Sequence, residues 1–146
     1  MTASEPAYVD SSLLLEVLLG QPRAAEAARL WSAHERRVSS VLLEAECRTV
    51  LRRLDRAGAL TSSLREAEQD LAEALDQVTL HNVDRSVVDR LGVLPELAAC
   101  RTLDALHLAT AALWRDRLGG IQVLTLDRAM AESARALGFC VAGHAG

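Results

Sequence analysis

The run RTLDALHLATAALW, from Arg101 to Trp114, is apolar around nearly the whole circumference of a helix. A helix that is greasy on most sides has to be buried, so this one belongs inside the molecule with other elements packed around it. Its polar residues on one face are Asp104 and, three positions later, His107. A buried or half-buried carboxylate does not stay ionised without positive charge nearby. The fold must therefore bring something to Asp104, and the rest of the chain shows what is available.

Downstream, Gly119 and Gly120 end the helix, and Ile121–Leu126 (IQVLTL) is the most strand-like run in the sequence. Asp127–Leu137 reads as a helix closed by Gly138, and Phe139–Val141 as a last strand before the tail GHAG, residues 143–146. Upstream, Ala7-Tyr8-Val9 is a short strand ending on Asp10, followed by a helix over Leu13–Leu19 with Gly20 in the place of a left-handed cap. Arg23–His34 is a second helix and Arg37–Ser39 a short strand. Val41–Arg56 is a helix with a core stripe of Leu43, Cys47, Val50 and Leu54. Ser63-Leu64-Arg65-Glu66 is a capping-box pattern opening a helix to about Asp76. Val78–Val83 follows as strand, and Asp84–Leu94 as a short helix broken before Pro95. Short strands alternating with helices predict an α/β fold, a parallel sheet with helices on both faces. One domain spanning residues 1–146 is expected, with flexible tails over 1–6 and 143–146.

Composition narrows the function. Half the residues are hydrophobic but only 3% are aromatic, so the interior is built from Leu, Val and Ala. No apolar run reaches the roughly 18 residues of a membrane span, and the N-terminus MTASEPAYVD is neither basic nor signal-like. These features predict a soluble, cytoplasmic protein. Three distant cysteines, Cys47, Cys100 and Cys140, contain no C-x-x-C pair and predict reduced thiols. The net charge of −4 argues against a protein that merely coats nucleic acid. It leaves room for a nuclease that meets phosphate through metal ions. The chain has no lysine, so no lysine nucleophile or P-loop lysine is available.

Asp10 and Asp127 each end a strand and begin a helix, and Asp104 lies in the first turn of its own helix, just after Thr102 as a cap. One such aspartate is ordinarily a helix cap. Three are another matter, because the carboxyl ends of parallel strands lie along one edge, where ligands bind. The helix Val41–Arg56 offers a fourth acid. Glu44 is explained by Arg48 at i+4, whereas Glu46 flanks the core stripe beside Leu42 and Arg53. Two carboxylates about 4 Å apart repel by roughly 4 kcal/mol at an effective dielectric near 20, so positive charge must enter or protons must remain. Oxygen ligands without a His or Cys cluster select Mg²⁺ or Mn²⁺, one ion or two. Arginine (Arg48, Arg53, Arg101 or Arg128) is the competing neutraliser.

Tyr8-Val9-Asp10-Ser11-Ser12, Glu46-Cys47-Arg48, Arg101–Thr110 and Thr125-Leu126-Asp127-Arg128 continuing to Phe139 together resemble PIN-domain ribonucleases, most closely the VapC toxins of bacterial toxin–antitoxin pairs. The resemblance spans nearly the whole chain, with four motifs in order. It implies a PIN-like three-layer α/β/α fold with a short, central, mostly parallel sheet. It also implies a Mg²⁺- or Mn²⁺-dependent endoribonuclease that cuts cellular RNA, such as tRNA or rRNA, and arrests growth. A homodimer and a cognate, VapB-like antitoxin are implied by the same resemblance. By position Asp10, Glu46, Asp104 and Asp127 match the family's acidic quartet, with Asp10, Asp104 and Asp127 as metal ligands. Ser11 or Ser12 and Thr125 match its supporting hydroxyls. The lysine many relatives carry after the first aspartate is missing here, where the chain runs Leu13-Leu14-Leu15-Glu16. The implied reaction is in-line attack of water on the phosphate, leaving a 5′-phosphate.

His107 is expected to support the acids or to be a structural histidine, while His34, His81 and His144 show no ligand spacing. Glu44, Asp84 and Asp89 read as solvated or capping residues. Trp31 and Trp114 read as core or dimer contacts rather than base-stacking platforms, and Arg48, Arg52 and Arg53 as a solvated face. A phosphoaspartate receiver or haloacid-type phosphatase needs a late lysine, which is absent, and the phosphatase needs an acid where Ser12 stands. The remaining rival is a catalytically silent module whose acidic pocket grips an arginine-bearing partner.

Overall fold

The computed structural model describes residues 4–144. Strands β1 (Ala7–Val9), β2 (Arg37–Ser40), β3 (Val78–His81), β4 (Gln122–Leu124) and β5 (Cys140–Ala142) form one sheet in the order β3-β2-β1-β4-β5. Every pairing among them is parallel. Helices α1 (Ser11–Leu19), α2 (Ala24–Ala33), α3 (Val41–Arg56), α4 (Leu64–Leu75), α5 (Arg85–Leu91), α6 (Thr102–Leu118) and α7 (Arg128–Ala136) make the connections.

Side chains alternate across a strand, so β1 feeds a separate core on each face of the sheet. Ala7 and Val9 join a core with Leu13 and Leu14 of α1, Leu43, Cys47 and Leu51 of α3, and Leu71 of α4. Tyr8 faces the other way, into a second core with Val87 of α5, Leu108 and Ala112 of α6 and Met130 of α7. The result is three layers, with α1 to α4 covering one face and α5 to α7 the other. The apolar α6 is buried as its sequence requires, with Ala105 and the unbroken run His107–Ala112 all inside.

The chain runs outward from β1 to β2 and β3, then returns to β4 on the opposite side of β1. The strand order therefore reverses beside β1, and in open α/β sheets the crevice at such a reversal is where ligands sit. Asp10 directly follows β1, and Thr125 directly follows β4.

Several local expectations change. The third strand stops at His81 rather than Val83, and the fourth occupies only Gln122–Leu124. The helix expected over Asp84–Leu94 is α5 alone, with Asp84 as its cap. A 3₁₀ turn over Pro95–Ala99, with Pro95 in its first turn, leads into α6. Thr102 is the first residue of α6 rather than its cap; Arg101 holds the cap position without a side-chain bond. In α3 the deepest positions are Leu43, Cys47 and Leu51, and Val50 and Leu54 are only partly buried. The predicted capping box of Ser63 and Glu66 is present in full. At the tails, the Pro6 carbonyl accepts from Gln122 N at 2.9 Å, the Gly143 carbonyl accepts from Arg23 at 2.6 Å, and that of His144 accepts from Arg135. These residues are held rather than loose; residues 1–3 and 145–146 lie outside the described region. No helix among the described residues is long and apolar enough to cross a membrane.

Candidate active site

Asp10 is 5% exposed and sits at the N-cap of α1, but its carboxylate does not cap that helix. Its Oδ2 instead accepts from the Ser12 hydroxyl and from the Thr125 hydroxyl, each at 2.7 Å. Ser12 Oγ also accepts from Leu126 N at 2.9 Å, and Thr125 Oγ1 accepts from Asp127 N at 3.0 Å. The two hydroxyls lie 3.2 Å apart. This web joins the ends of β1 and β4 and fixes the orientation of Asp10 through one oxygen. Of the two serines considered from sequence, Ser12 carries these bonds, and Ser11 opens α1 without a side-chain bond of this kind.

The capping explanation separates the aspartates. Asp127 does cap its helix, with Oδ2 accepting from Met130 N at 3.0 Å, and it stands exposed. Asp10 does not cap, and α6, where Asp104 occupies the first turn, has Arg101 at its N-cap without a side-chain capping bond. Asp104 is partly buried, and burial first, then the charges of Asp10 and Asp127, push its carboxyl above the ordinary aspartate range. His107 partly offsets this, and Glu46 adds to it. The other three expected acids are therefore close enough to be felt at Asp104. A cavity of about 310 Å³ opens beside Asp104 and Asp127, with Arg101, Cys100 and Ser133 on its walls.

Glu46, on α3, does not line the cavity beside Asp104 and Asp127 but a second, apolar groove with Leu42, Val50, Arg53 and Leu103. Its Oε1 is hydrogen-bonded to Nε2 of His107. Glu44 instead pairs with Arg48 at 2.8 Å, as its i+4 spacing predicts. Arg128 is committed to Glu132. Among the described residues no arginine forms an ion pair with Asp10, Asp104 or Asp127.

The donor set suits a hard cation, because it is all carboxylate oxygen and, among the described residues, no arginine is ion-paired with its aspartates, although Arg101 lines the same cavity. As they stand, the carboxylates do not form a closed cage. Among the described residues, no three His, Cys, Asp or Glu side chains are grouped to hold an ion. Cysteine takes no part: Cys47 is buried, which pushes its thiol up to about 12, and all three cysteines are free.

One contributor was not apparent from sequence. Tyr8 stands two residues before Asp10 in an apolar strand, and its hydroxyl lies 2.7 Å from His107 Nδ1. The only local sign was a phenol in a strand destined for the core, since a buried Tyr hydroxyl usually finds a partner. Trp114 is a core residue, donating from Nε1 to the Ser39 carbonyl at 3.0 Å, and Arg37 stacks over Trp31 at 4.3 Å.

Comparison with known proteins decides the family to which this geometry belongs. A family model for the PIN domain matches residues 7–136, which contain all four acids and both supporting hydroxyls. The chain belongs to the PIN-domain family, among its VapC members. It is 36% identical over 134 residues to Ribonuclease VapC46 of Mycobacterium tuberculosis (strain ATCC 25618 / H37Rv), covering 92% of this chain and 94% of that protein. Ribonuclease VapC49 of the same strain and Ribonuclease VapC45 of strain CDC 1551 / Oshkosh are each 31% identical over 136 residues, covering 92% of this chain and 93% of each relative. Among solved structures, a toxin–antitoxin complex from Klebsiella pneumoniae contains a chain that superposes with a TM-score of 0.65 at 20% identity, covering 94% of this PIN domain and 98% of that chain. At that identity the superposition speaks for the fold alone, and the fold is the expected PIN-like α/β/α arrangement.

Proposed function

We propose that this PIN domain is the ribonuclease toxin of a toxin–antitoxin pair, cutting phosphodiester bonds of cellular RNA with Mg²⁺ or Mn²⁺. The observation that carries the reading is Asp10: a nearly buried carboxylate, relieved of capping duty and oriented by two hydroxyls, at the end of β1 beside β4. The VapC-named relatives supply the substrate class, since each is called a ribonuclease.

Asp10, Asp104 and Asp127 would hold the ion, and Glu46 would complete the acidic pocket. A divalent ion held there would supply positive charge to the phosphate oxygens and acidify a water for in-line attack. The protein's own contribution is orientation. Ser12 and Thr125 fix Asp10, the backbone of α7 fixes Asp127 through its cap, and His107 holds Glu46. Water rather than the ribose 2′-OH acts as nucleophile, so the products carry a 5′-phosphate. The substrate is a structured cellular RNA such as tRNA or rRNA, and its cleavage arrests growth. The protein works in the cytoplasm as a homodimer, and a VapB-like antitoxin blocks the pocket. The toxin–antitoxin complex of the same fold is consistent with such a partner.

Purified protein incubated with cellular RNA and Mg²⁺ or Mn²⁺, beside Asp10→Asn, tests the reading. Cleavage by the wild type, lost in Asp10→Asn and leaving 5′-phosphate ends, is expected. Equal cleavage by both proteins discards the site, and cyclic phosphate ends refute the hydrolytic scheme. No cleavage by either favours a silent module that uses its acids to grip a partner.

A further inference from the structure

Beneath the acidic crevice runs a line of hydrogen bonds that joins three secondary-structure elements. Tyr8 of β1 is 1% exposed and packs under α6, where its ring meets His107 edge-on at 5.9 Å between centroids. Its hydroxyl lies 2.7 Å from His107 Nδ1. His107 is also 1% exposed, and its Nε2 is hydrogen-bonded to Glu46 Oε1 on α3.

The chemistry of the end groups sets the direction of these bonds. An ionised carboxylate only accepts, so the hydrogen must sit on Nε2 of His107. In the neutral ring Nδ1 is then an acceptor and takes the Tyr8 hydroxyl hydrogen. The phenol of Tyr8 can donate its hydrogen to that acceptor at the 2.7 Å separation. The nearby hydroxyls of Ser39 and Thr110 are both committed as donors to backbone carbonyls, of Val9 and Leu106, at 2.7 Å each. With their hydrogens engaged, neither hydroxyl donates into the Tyr8–His107 pair.

We propose that His107, set in one tautomer by Tyr8, is the positioning residue that holds the Glu46 carboxylate at the acidic crevice. The inference rests on the nuclease reading for its purpose and on these contacts for its mechanism. Glutamate has three side-chain torsions and loses appreciable rotamer freedom when fixed. Without a tether Glu46 could turn along its groove toward Arg53 and solvent. His107 occupies Oε1 and leaves Oε2 for the site. Tyr8 and His107 lie two residues before Asp10 and three after Asp104, so the tether ties α3 to the same two elements that carry those aspartates. Partners that orient a ligating or reacting carboxylate typically matter about 10- to 100-fold.

His107→Asn keeps an amide near the Nδ1 position and loses the reach to Glu46, whereas His107→Gln extends an amide toward the Nε2 position. RNA cleavage with saturating Mg²⁺ should fall about 10- to 100-fold in kcat for His107→Asn with little change in KM, and His107→Gln should restore much of it. In a Glu46→Gln background, His107→Asn should cost nothing further. Full activity of His107→Asn, or an equal loss in both backgrounds, overturns the inference while leaving the nuclease reading intact. An imidazole ¹⁵N spectrum of the whole metal-free protein gives a readout independent of activity. His107 should appear as the Nε2–H tautomer, and its signals should move in Glu46→Gln and in Tyr8→Phe, which keeps the ring packing. An Nδ1–H tautomer, or signals indifferent to Glu46→Gln, overturns the tether even if the wild type cuts no RNA. Absence of wild-type cleavage with the expected spectrum overturns the nuclease reading and supports the tether.

Discussion

At the scale of single residues, Asp104 reports the electrostatic state of the site. Burial and the neighbouring acids raise its carboxyl above the ordinary aspartate range in the folded protein. The folded state therefore binds that proton more tightly than the unfolded chain does. The resulting stabilisation is fully present below the ordinary aspartate value and is lost as pH rises through the raised folded value. In metal-free protein, Asp104→Asn should match the wild type in acid and be the more stable of the two at neutral pH. Urea melts across a pH series would show this, and a variant less stable at neutral pH would mean that Asp104 is not crowded by its neighbours. Asp10 and Asp127 make a useful contrast at the same scale: both begin helices, yet only Asp127 caps with its side chain.

Among the elements, α6 bears the greatest structural demand. It carries Asp104 and His107 on one side, and its buried Leu108, Ala109, Ala111 and Ala112 pack into the core beneath the sheet. Leu108 is fully buried. Leu108→Ala should cost about 2–5 kcal/mol by loss of transfer energy and an unfilled cavity, read as a lower midpoint in denaturant unfolding. An unchanged midpoint would show that the helix can collapse onto the space. The strands are the opposite case, because each is only three or four residues long. Their ends are set by pairing partners as much as by composition, which is why β3 and β4 are shorter than their apolar runs suggest.

For the whole molecule, the sheet order sets Asp10 and Asp127, which follow the neighbouring parallel strands β1 and β4, on one edge of a protein of net charge −4 that has no lysine. Ligand binding to the native state stabilises by mass action, about 2.7 kcal/mol at a free concentration roughly 100 times Kd. Mg²⁺ or Mn²⁺ should therefore raise Tm by several degrees relative to EDTA, and Asp10→Asn should lose most of the rise. The same increase in both proteins would place the ion elsewhere.

The alternation of apolar runs with helical patterns sufficed to establish an α/β chain with parallel strands, and cap chemistry placed Asp10 and Asp127 at strand ends. Helical spacing also distinguished Glu46 from Glu44, since Arg48 at i+4 accounts for the latter. These features are local, and local periodicity and cap preference are what a sequence encodes within a few residues. Contacts between distant residues are different in kind. Thr125 meets Asp10 across 115 positions, and Tyr8 meets His107 across 99. Those meetings depend on β1 lying between β2 and β4 in a particular register, with α6 laid over Tyr8. Choosing Ser12 over Ser11 and assigning a role to Tyr8 both required that register. Packing of the whole sheet fixes it, and no neighbourhood of the sequence carries it alone.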